Sequence, residues 1–129
     1  MRLSREMIET KNKLEKLGYI VILPAFIERY ANLEKTDEMH RESVKNKVNH
    51  DLIRGYFKEI KNGDAILVVN ETVNGIENYI GGNSFLEIGF AHVLNKKIFL
   101  LNPIPDMGYA DEIIAMQPII LNGDLSKLK

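Results

Sequence analysis

The side chains that could bind a ligand or do chemistry are concentrated between residues 70 and 87. Asn70 follows an apolar run, and Glu87 is expected in the first turn of the next helix. The loop between them carries Asn74, Asn78, Tyr79, Gly81, Gly82, Asn83 and Ser84. Adjacent glycines let the backbone approach a ligand closely, and a helix N-terminus offers free N–H groups to an anion or a sugar hydroxyl. This pattern predicts a ligand site with Glu87 as its carboxylate.

Each of these features also has a purely structural interpretation. Ser84 and Glu87 have the spacing of a capping box, in which the glutamate hydrogen-bonds back to the N-cap residue and does no chemistry. Gly81 and Gly82 could form only a tight turn, and Tyr79 could cover a ligand or simply pack that turn. Spacing alone leaves these alternatives open.

Several other kinds of site are disfavoured by the sequence. A Walker-type GxxxxGK[ST] motif and a GxGxxG motif after a strand are both absent, so an NTPase or a nicotinamide dehydrogenase is not expected. The histidines, His40, His50 and His92, lack the spacing of a metal site, and the chain has no cysteine. We therefore predict neither a cofactor nor a metal. His92 falls on the apolar face of its helix and is expected to be packed or at an interface.

Composition narrows the partners and the location of the protein. With 17 basic and 18 acidic residues among 129, the net charge is -1, and no basic face is expected for a nucleic-acid backbone. The longest apolar stretches, residues 65–69 and 98–101, are far shorter than the ~20 residues of a membrane span. The start of the chain has no apolar signal core. We expect one cytoplasmic domain over residues 1–129 that binds neither nucleic acid nor a membrane.

The elements that would position the site follow from hydrophobic periodicity. The pattern predicts helix 3–17, strand 19–23, helix 44–60, strand 64–70, a helix around 85–92, strand 96–101, helix 109–116 and strand 118–121. This alternation is typical of a doubly wound α/β fold, a Rossmann/flavodoxin-like parallel sheet with helices on both faces. The run at 64–70 is almost entirely apolar and is therefore expected to be the central strand.

The predicted topology locates the site and also leaves a gap. In open α/β sheets, ligands bind beyond the carboxyl ends of the strands, so the loops after Leu23, Asn70 and Leu101 are the candidates. Folds of this class normally begin with a strand, whereas this chain opens on a helix. We therefore expect the first strand to be missing from this sequence. Either the native start lies upstream, which we favour, or the sheet has one strand fewer.

Three segments in order, residues 64–70, 79–91 and 96–101, resemble the nucleoside 2-deoxyribosyltransferase superfamily. They contain a strand ending in a polar residue, a glycine-containing loop, the sequence Glu87-Ile-Gly-Phe-Ala91, and a lysine followed by a buried strand. The resemblance covers most of the chain and is nearest to a small branch related to 2′-deoxynucleoside 5′-phosphate N-hydrolases. It implies the same α/β fold and an enzyme that acts on a nucleoside or its 5′-monophosphate without a cofactor.

In this superfamily the residue that matches Glu87 attacks C1′ of a deoxyribosyl group and forms a covalent glycosyl-enzyme, which a nucleobase or water then resolves. A carboxylate suits this step because the transition state resembles an oxocarbenium ion. The resemblance also implies that Arg2 and Ser4 contact the phosphate or the 5′ end of the substrate. The other residues that it places at the substrate are Asn70, Tyr79, Gly81, Gly82, Asn83 and Ser84. Family members are homo-oligomers, so a homo-oligomer is expected here.

The sequence departs from the family pattern where the transferases carry acids. Asn70 stands in place of the aspartate that exchanges a proton with the base, which makes it the second predicted catalytic residue beside Glu87. Asn83 stands where an acid is often found. Because asparagine cannot act as a general acid, two alternatives remain open. One is a module of the same fold that binds a nucleotide or nucleotide sugar without turnover, and the other is a purely structural oligomer.

Overall fold

The computed structural model describes residues 4–23 and 52–128 of the chain. These residues fall into two compact units, divided between Tyr56 and Phe57. The first unit contains the N-terminal helix and the segment that follows it, and the second contains the sheet and the candidate site. The single domain predicted over residues 1–129 stays a prediction.

Helix α1, Ser4–Lys16, confirms the helix predicted over residues 3–17. Gly18 has φ 97° and its N–H donates to Glu15 O at 3.1 Å. The next N–H, that of Tyr19, donates to Leu14 O at 3.1 Å. These two hydrogen bonds form a Schellman motif, in which glycine accepts the positive φ that would strain another residue. The sequence position of this glycine therefore explains where α1 ends.

The strand predicted at residues 19–23 is not formed, so that prediction is wrong. The segment has no regular structure, and Ile20 and Ile22 are 96% and 63% exposed. An apolar, β-branched run becomes a strand only when a neighbouring strand pairs with its N–H and C=O groups. None of the strands within the described residues pairs with this segment.

Helix α2, Leu52–Asn62, crosses the boundary between the two units. It agrees with the second half of the predicted helix, while residues 44–51 of that prediction lie outside the described residues. Within α2, Leu52, Tyr56 and Ile60 are buried at a spacing of four residues. This is the apolar stripe that the sequence predicts for an amphipathic helix.

The second unit holds a three-stranded parallel sheet. Its strands are β1, Ala65–Val68; β2, Lys97–Leu100; and β3, Ile119–Ile120, in the order β1-β2-β3. Helix α3, Gly82–Val93, connects β1 to β2, and helix α4, Ala110–Ala115, connects β2 to β3. The predicted α/β class is confirmed. Two successive strand–helix–strand units with parallel strands are consistent with a Rossmann/flavodoxin-like fold.

The place of β1 in the sheet differs from the prediction. Among the described strands β2 is central, and β1 lies at an edge. Ala65 is exposed and only Val68 of β1 is buried, whereas three of the four residues of β2 are buried. The prediction failed because an apolar run indicates burial without indicating which strands will pair with it.

The core of the second unit lies where α3 packs on β1 and β2. Ile88 and Ala91 of α3 are fully buried there. The other buried members of this core are Ile60, Val68, Ile80, Ile98, Leu100 and Ile113. This packing holds α3 against the sheet. In the described part of the chain, no helix is long and apolar enough to cross a membrane.

Candidate functional site

A tight hairpin shapes the loop between β1 and α3. Val73 N–H donates to Ile76 O at 3.1 Å, and Ile76 N–H donates to Val73 O at 3.0 Å. The two residues between them, Asn74 and Gly75, have φ of 51° and 79°. Positive φ at both positions is typical of a type I′ turn, for which Asn-Gly is the preferred sequence. The Asn-Gly pair is the local sequence signal for this turn.

Helix α3 begins at the two glycines of the predicted site. Gly81 is the N-cap residue, with φ -79° and ψ 176°, and Gly82 is the first helical residue. The alternative that these glycines form only a tight turn is therefore wrong. The first helical hydrogen bond runs from Phe85 N–H to Gly81 O at 2.9 Å. The N–H groups of the three residues before Phe85 are therefore left without helical acceptors.

The capping box predicted for Ser84 and Glu87 is not formed. A capping box needs serine at the N-cap position, whereas Ser84 is the third residue of α3 and Gly81 is its N-cap. No side chain caps the helix. Glu87 consequently lies in the second turn instead of the first. At this position Glu87 cannot hydrogen-bond back to the N-cap residue, so it is not a capping residue.

Burial makes the Glu87 carboxyl unusual. The side chain is partly buried, and the loss of solvent raises its pKa to about 7. Desolvation disfavours the charged form of a carboxyl group. A carboxyl group with such a pKa exists in both protonation states near neutral pH, which is typical of groups in functional sites.

Tyr79 lies against the start of α3. A Cβ atom built on Gly81 would lie 3.2 Å from Cε2 of Tyr79 and 3.5 Å from its hydroxyl oxygen. Glycine at position 81 therefore lets the aromatic ring approach the backbone closely. Around Gly82, by contrast, an added Cβ would meet nothing within 4 Å. The predicted residues Tyr79, Gly81, Gly82, Asn83 and Ser84 are thus brought together at one helix end.

Asn70 is placed differently from the prediction. Its side chain is fully buried, and Nδ2 donates to Asn102 O at 2.8 Å and to Pro103 O at 3.1 Å. Its Oδ1 accepts from Asn102 N–H at 2.8 Å, and Asn102 Nδ2 donates to Asn70 O at 3.0 Å. These bonds join the ends of β1 and β2. The amide is committed to holding the backbone, so we do not retain Asn70 as a catalytic or substrate-binding residue.

Tyr109 is a residue at this site that sequence reasoning missed. Its hydroxyl donates to Ile80 O, the carbonyl just before the N-cap of α3. Its ring stacks on Phe85 with centroids 4.4 Å apart and an interplanar angle of 20°. No local pattern marks Tyr109, because it lies 29 residues from Ile80 in the sequence. Only the fold brings the start of α4 beside the start of α3.

The remaining predicted residues lie elsewhere. Ser4 begins α1 in the first unit, and Arg2, His40 and His50 lie outside the described residues. His92 is exposed on α3, so the prediction that it packs within the chain is wrong. Within residues 4–23 and 52–128, no three His, Asp or Glu side chains form a group that could hold a metal ion.

Comparison with known proteins identifies no relative of this chain. No model of a known family, no curated protein and no solved structure matches the chain. Support for a function therefore comes from the residues at the start of α3 and from Glu87.

Proposed function

We propose that this chain cleaves or transfers the N-glycosidic bond of a nucleoside, a deoxynucleoside or a 5′-monophosphate, with Glu87 as the nucleophile. The observation that carries the proposal is the partly buried Glu87 carboxyl, whose pKa is raised to about 7, in a helix whose N-terminus no side chain caps. A desolvated carboxylate is stabilised by a nearby positive charge, and glycosidic cleavage develops that charge at C1′. The resemblance of residues 79–91 to the deoxyribosyltransferase superfamily supports the same role.

The proposed reaction has two steps. First, a carboxylate oxygen of Glu87 bonds to C1′ while the C1′–N bond breaks, and the base leaves with the bonding electron pair and takes a proton from water. Then water or a second base attacks C1′, releasing the Glu87 carboxylate. The incoming water or base loses its proton to solvent in this second step. Splitting one displacement into two is the usual advantage of a covalent intermediate.

The open end of α3 supports the choice of substrate class. The N–H groups of Gly82, Asn83 and Ser84 and the positive end of the helix dipole suit a sugar hydroxyl or a 5′-phosphate. Tyr79 supplies an aromatic ring beside Gly81, and base–aromatic stacking is favourable for every nucleobase. The roles that the resemblance implies for Arg2 and Ser4 stay predictions.

One observation favours a second candidate, a module that binds a nucleotide or nucleotide sugar without turnover. The buried Asn70 amide is fully engaged, and an asparagine cannot protonate a departing base. Glu87 lies in the second turn of α3, and its carboxyl is partly buried. Slow turnover with ordinary bases, and faster turnover with a good leaving group, is expected if the enzyme interpretation is correct.

The test is to incubate the protein with deoxynucleosides, their 5′-monophosphates and a deoxyriboside that carries an activated leaving group. Free base is measured by chromatography, and the acid-quenched protein is digested and analysed by mass spectrometry. We expect base release and a deoxyribosyl mass increase on the peptide that contains Glu87. A folded protein that binds these ligands but releases no base would favour the binding module instead.

Matched variants separate chemistry from folding. Glu87→Gln should abolish base release and the covalent adduct while keeping the fold. Glu77→Gln is the control, because Glu77 is an exposed carboxyl of the loop before α3. Equal activity of Glu87→Gln and the wild-type protein would rule out Glu87 as the nucleophile.

We also propose that the protein works as a cytoplasmic homo-oligomer whose partner is a small molecule. The support is the family resemblance and the exposed apolar side chains of α3, Leu86 and Val93, which are 43% and 80% exposed. Light scattering of the purified protein measures the oligomeric state directly. A monomer at all accessible concentrations would contradict this part of the proposal.

A further inference from the structure

Helix α3 lacks the local features that usually fix the start of a helix. Its N-cap residue is Gly81, no side chain caps it, and its first turn has no acidic residue. A Gly-Gly pair has more backbone freedom than any other pair of residues, so holding it in one conformation costs the most entropy. The position of the free N–H groups must therefore be fixed by contacts from elsewhere in the fold.

Tyr109 supplies such contacts from two directions. Its hydroxyl donates a hydrogen bond to the carbonyl of Ile80, a residue that is fully buried. Its ring stacks on Phe85 in the first turn of α3. These contacts hold the backbone on both sides of Gly81 and Gly82. Burial, and to a smaller extent the nearby Tyr79, raises the pKa of Tyr109, so the hydroxyl keeps the proton that it donates.

Tyr109 is itself held in place by the ends of the strands. It is the N-cap residue of α4 and follows the loop that begins at Asn102 and Pro103. The Asn70 amide binds the carbonyls of both of these residues. The contacts thus run from the buried amide at the end of β1, through the loop after β2, to the start of α3.

We propose that Tyr109 is a positioning residue, which fixes the Ile80–Gly82 backbone and thereby the free N–H groups and Glu87 of α3. Its effect on turnover rests on the function proposed above, whereas its effect on the helix start does not. Tyr109 contacts Ile80 and Phe85. Because Tyr109 would act on the reaction only through these residues, its substitution should alter kcat more than KM. This separates Tyr109 from a residue that binds the substrate directly.

The test uses Tyr109→Phe, which keeps the stacked ring and removes the hydrogen bond. Amide hydrogen exchange of the full chain is measured, with attention to the N–H groups of Phe85 and Leu86. We expect about fivefold faster exchange there, since one hydrogen bond that holds the helix start is lost. Exchange of Leu121 N–H, which donates to Leu100 O at 2.8 Å in the sheet, should not change.

Tyr79→Phe is the matched control for the exchange measurement. It removes a hydroxyl whose oxygen lies 3.5 Å from a Cβ atom built on Gly81, whereas the hydrogen bond to Ile80 O is donated by Tyr109. Its exchange at Phe85 and Leu86 should match that of the wild-type protein. Unchanged exchange in Tyr109→Phe, or the same increase in both variants, would overturn the proposal.

Turnover gives the second measurement. With the substrate identified by base release, Tyr109→Phe should lower kcat about tenfold and change KM less than twofold, because a displaced nucleophile slows the chemical step. Faster exchange with unchanged kcat would overturn the positioning role. If the wild-type protein releases no base, the proposed function fails by itself, and hydrogen exchange alone decides whether Tyr109 fixes the helix start.

Discussion

At the scale of single residues, Glu87 differs from an ordinary surface glutamate in its pKa. Burial raises the pKa of this carboxyl to about 7, and a nucleophile must be ionised in the free enzyme. We therefore predict that kcat/KM for base release rises with pH and reaches half its maximum near pH 7. A proton donor would give the opposite profile, falling through the same range. The pH dependence of kcat/KM, measured with a substrate whose base does not titrate there, distinguishes the two roles.

The same carboxyl should make stability depend on pH. Its pKa is about 7 in the folded protein and near the ordinary 4.5 when unfolded, so the native state holds the proton more tightly. Stability is then lost as pH rises from 4.5 to 7, by at most about 3.4 kcal/mol. Glu87→Gln removes this loss and should exceed the wild-type protein in stability at pH 8, with little difference at pH 4. Urea unfolding at both pH values measures the difference, and Glu77→Gln should lack it.

At the scale of elements, the amide of Asn70 joins the ends of β1 and β2. We predict that Asn70→Asp destabilises the protein by about 2–3 kcal/mol, since a carboxylate cannot donate to the two carbonyls that the amide now binds. The loss should be larger at pH 8 than at pH 5, because a protonated carboxyl can still donate once. Chemical unfolding measures both values.

Asn83→Asp is the matched control for that substitution. It makes the same chemical change in the first turn of α3, where a negative charge interacts favourably with the helix dipole. We expect it to leave stability unchanged or raise it by up to about 1 kcal/mol. If Asn70→Asp is as stable as the wild-type protein and releases base faster, Asn70 belongs to the catalytic site after all.

At the scale of the whole molecule, the segment at residues 19–23 exposes apolar side chains that a strand would pair or bury. Ile20 is 96% exposed, so Ile20→Ser should change the free energy of unfolding by at most about 0.5 kcal/mol. It should also reduce self-association, because exposed apolar side chains favour intermolecular contacts. Urea unfolding and light scattering measure the two effects. A large loss of stability would instead mean that Ile20 is packed in solution.

Helices and strands were largely predictable from the sequence because their signals are local. The apolar stripe of α2, Gly18 after α1 and the apolar runs of β1 and β2 each lie within a few residues of the element they specify. The alternation of these elements was enough for the α/β class. The exception is residues 19–23, where the strand signal is present but none of the described strands pairs with the segment.

The candidate site was predicted as a set of residues but not as an arrangement. Glu87, Tyr79 and the two glycines were named from their types and spacing, and the structure brings the glycines and Tyr79 together at the start of α3. The capping box could not be excluded from spacing, because the helix start is one turn earlier than the sequence pattern indicates. The resemblance implied a catalytic position for Asn70, whereas burial and its hydrogen bonds to Asn102 and Pro103 commit its amide to the backbone.

The sequence by itself determined the order of helices and strands from Leu52 onward, the parallel α/β class and the segment that carries Glu87. Only the tertiary structure decided that β2 is central among the described strands, that the Asn70 amide binds backbone, and that Tyr109 reaches Ile80 across 29 residues. The physical reason is the range of each interaction. Periodicity and turn preferences act over a few residues, whereas burial, strand pairing and long-range hydrogen bonds exist only once distant segments are packed together.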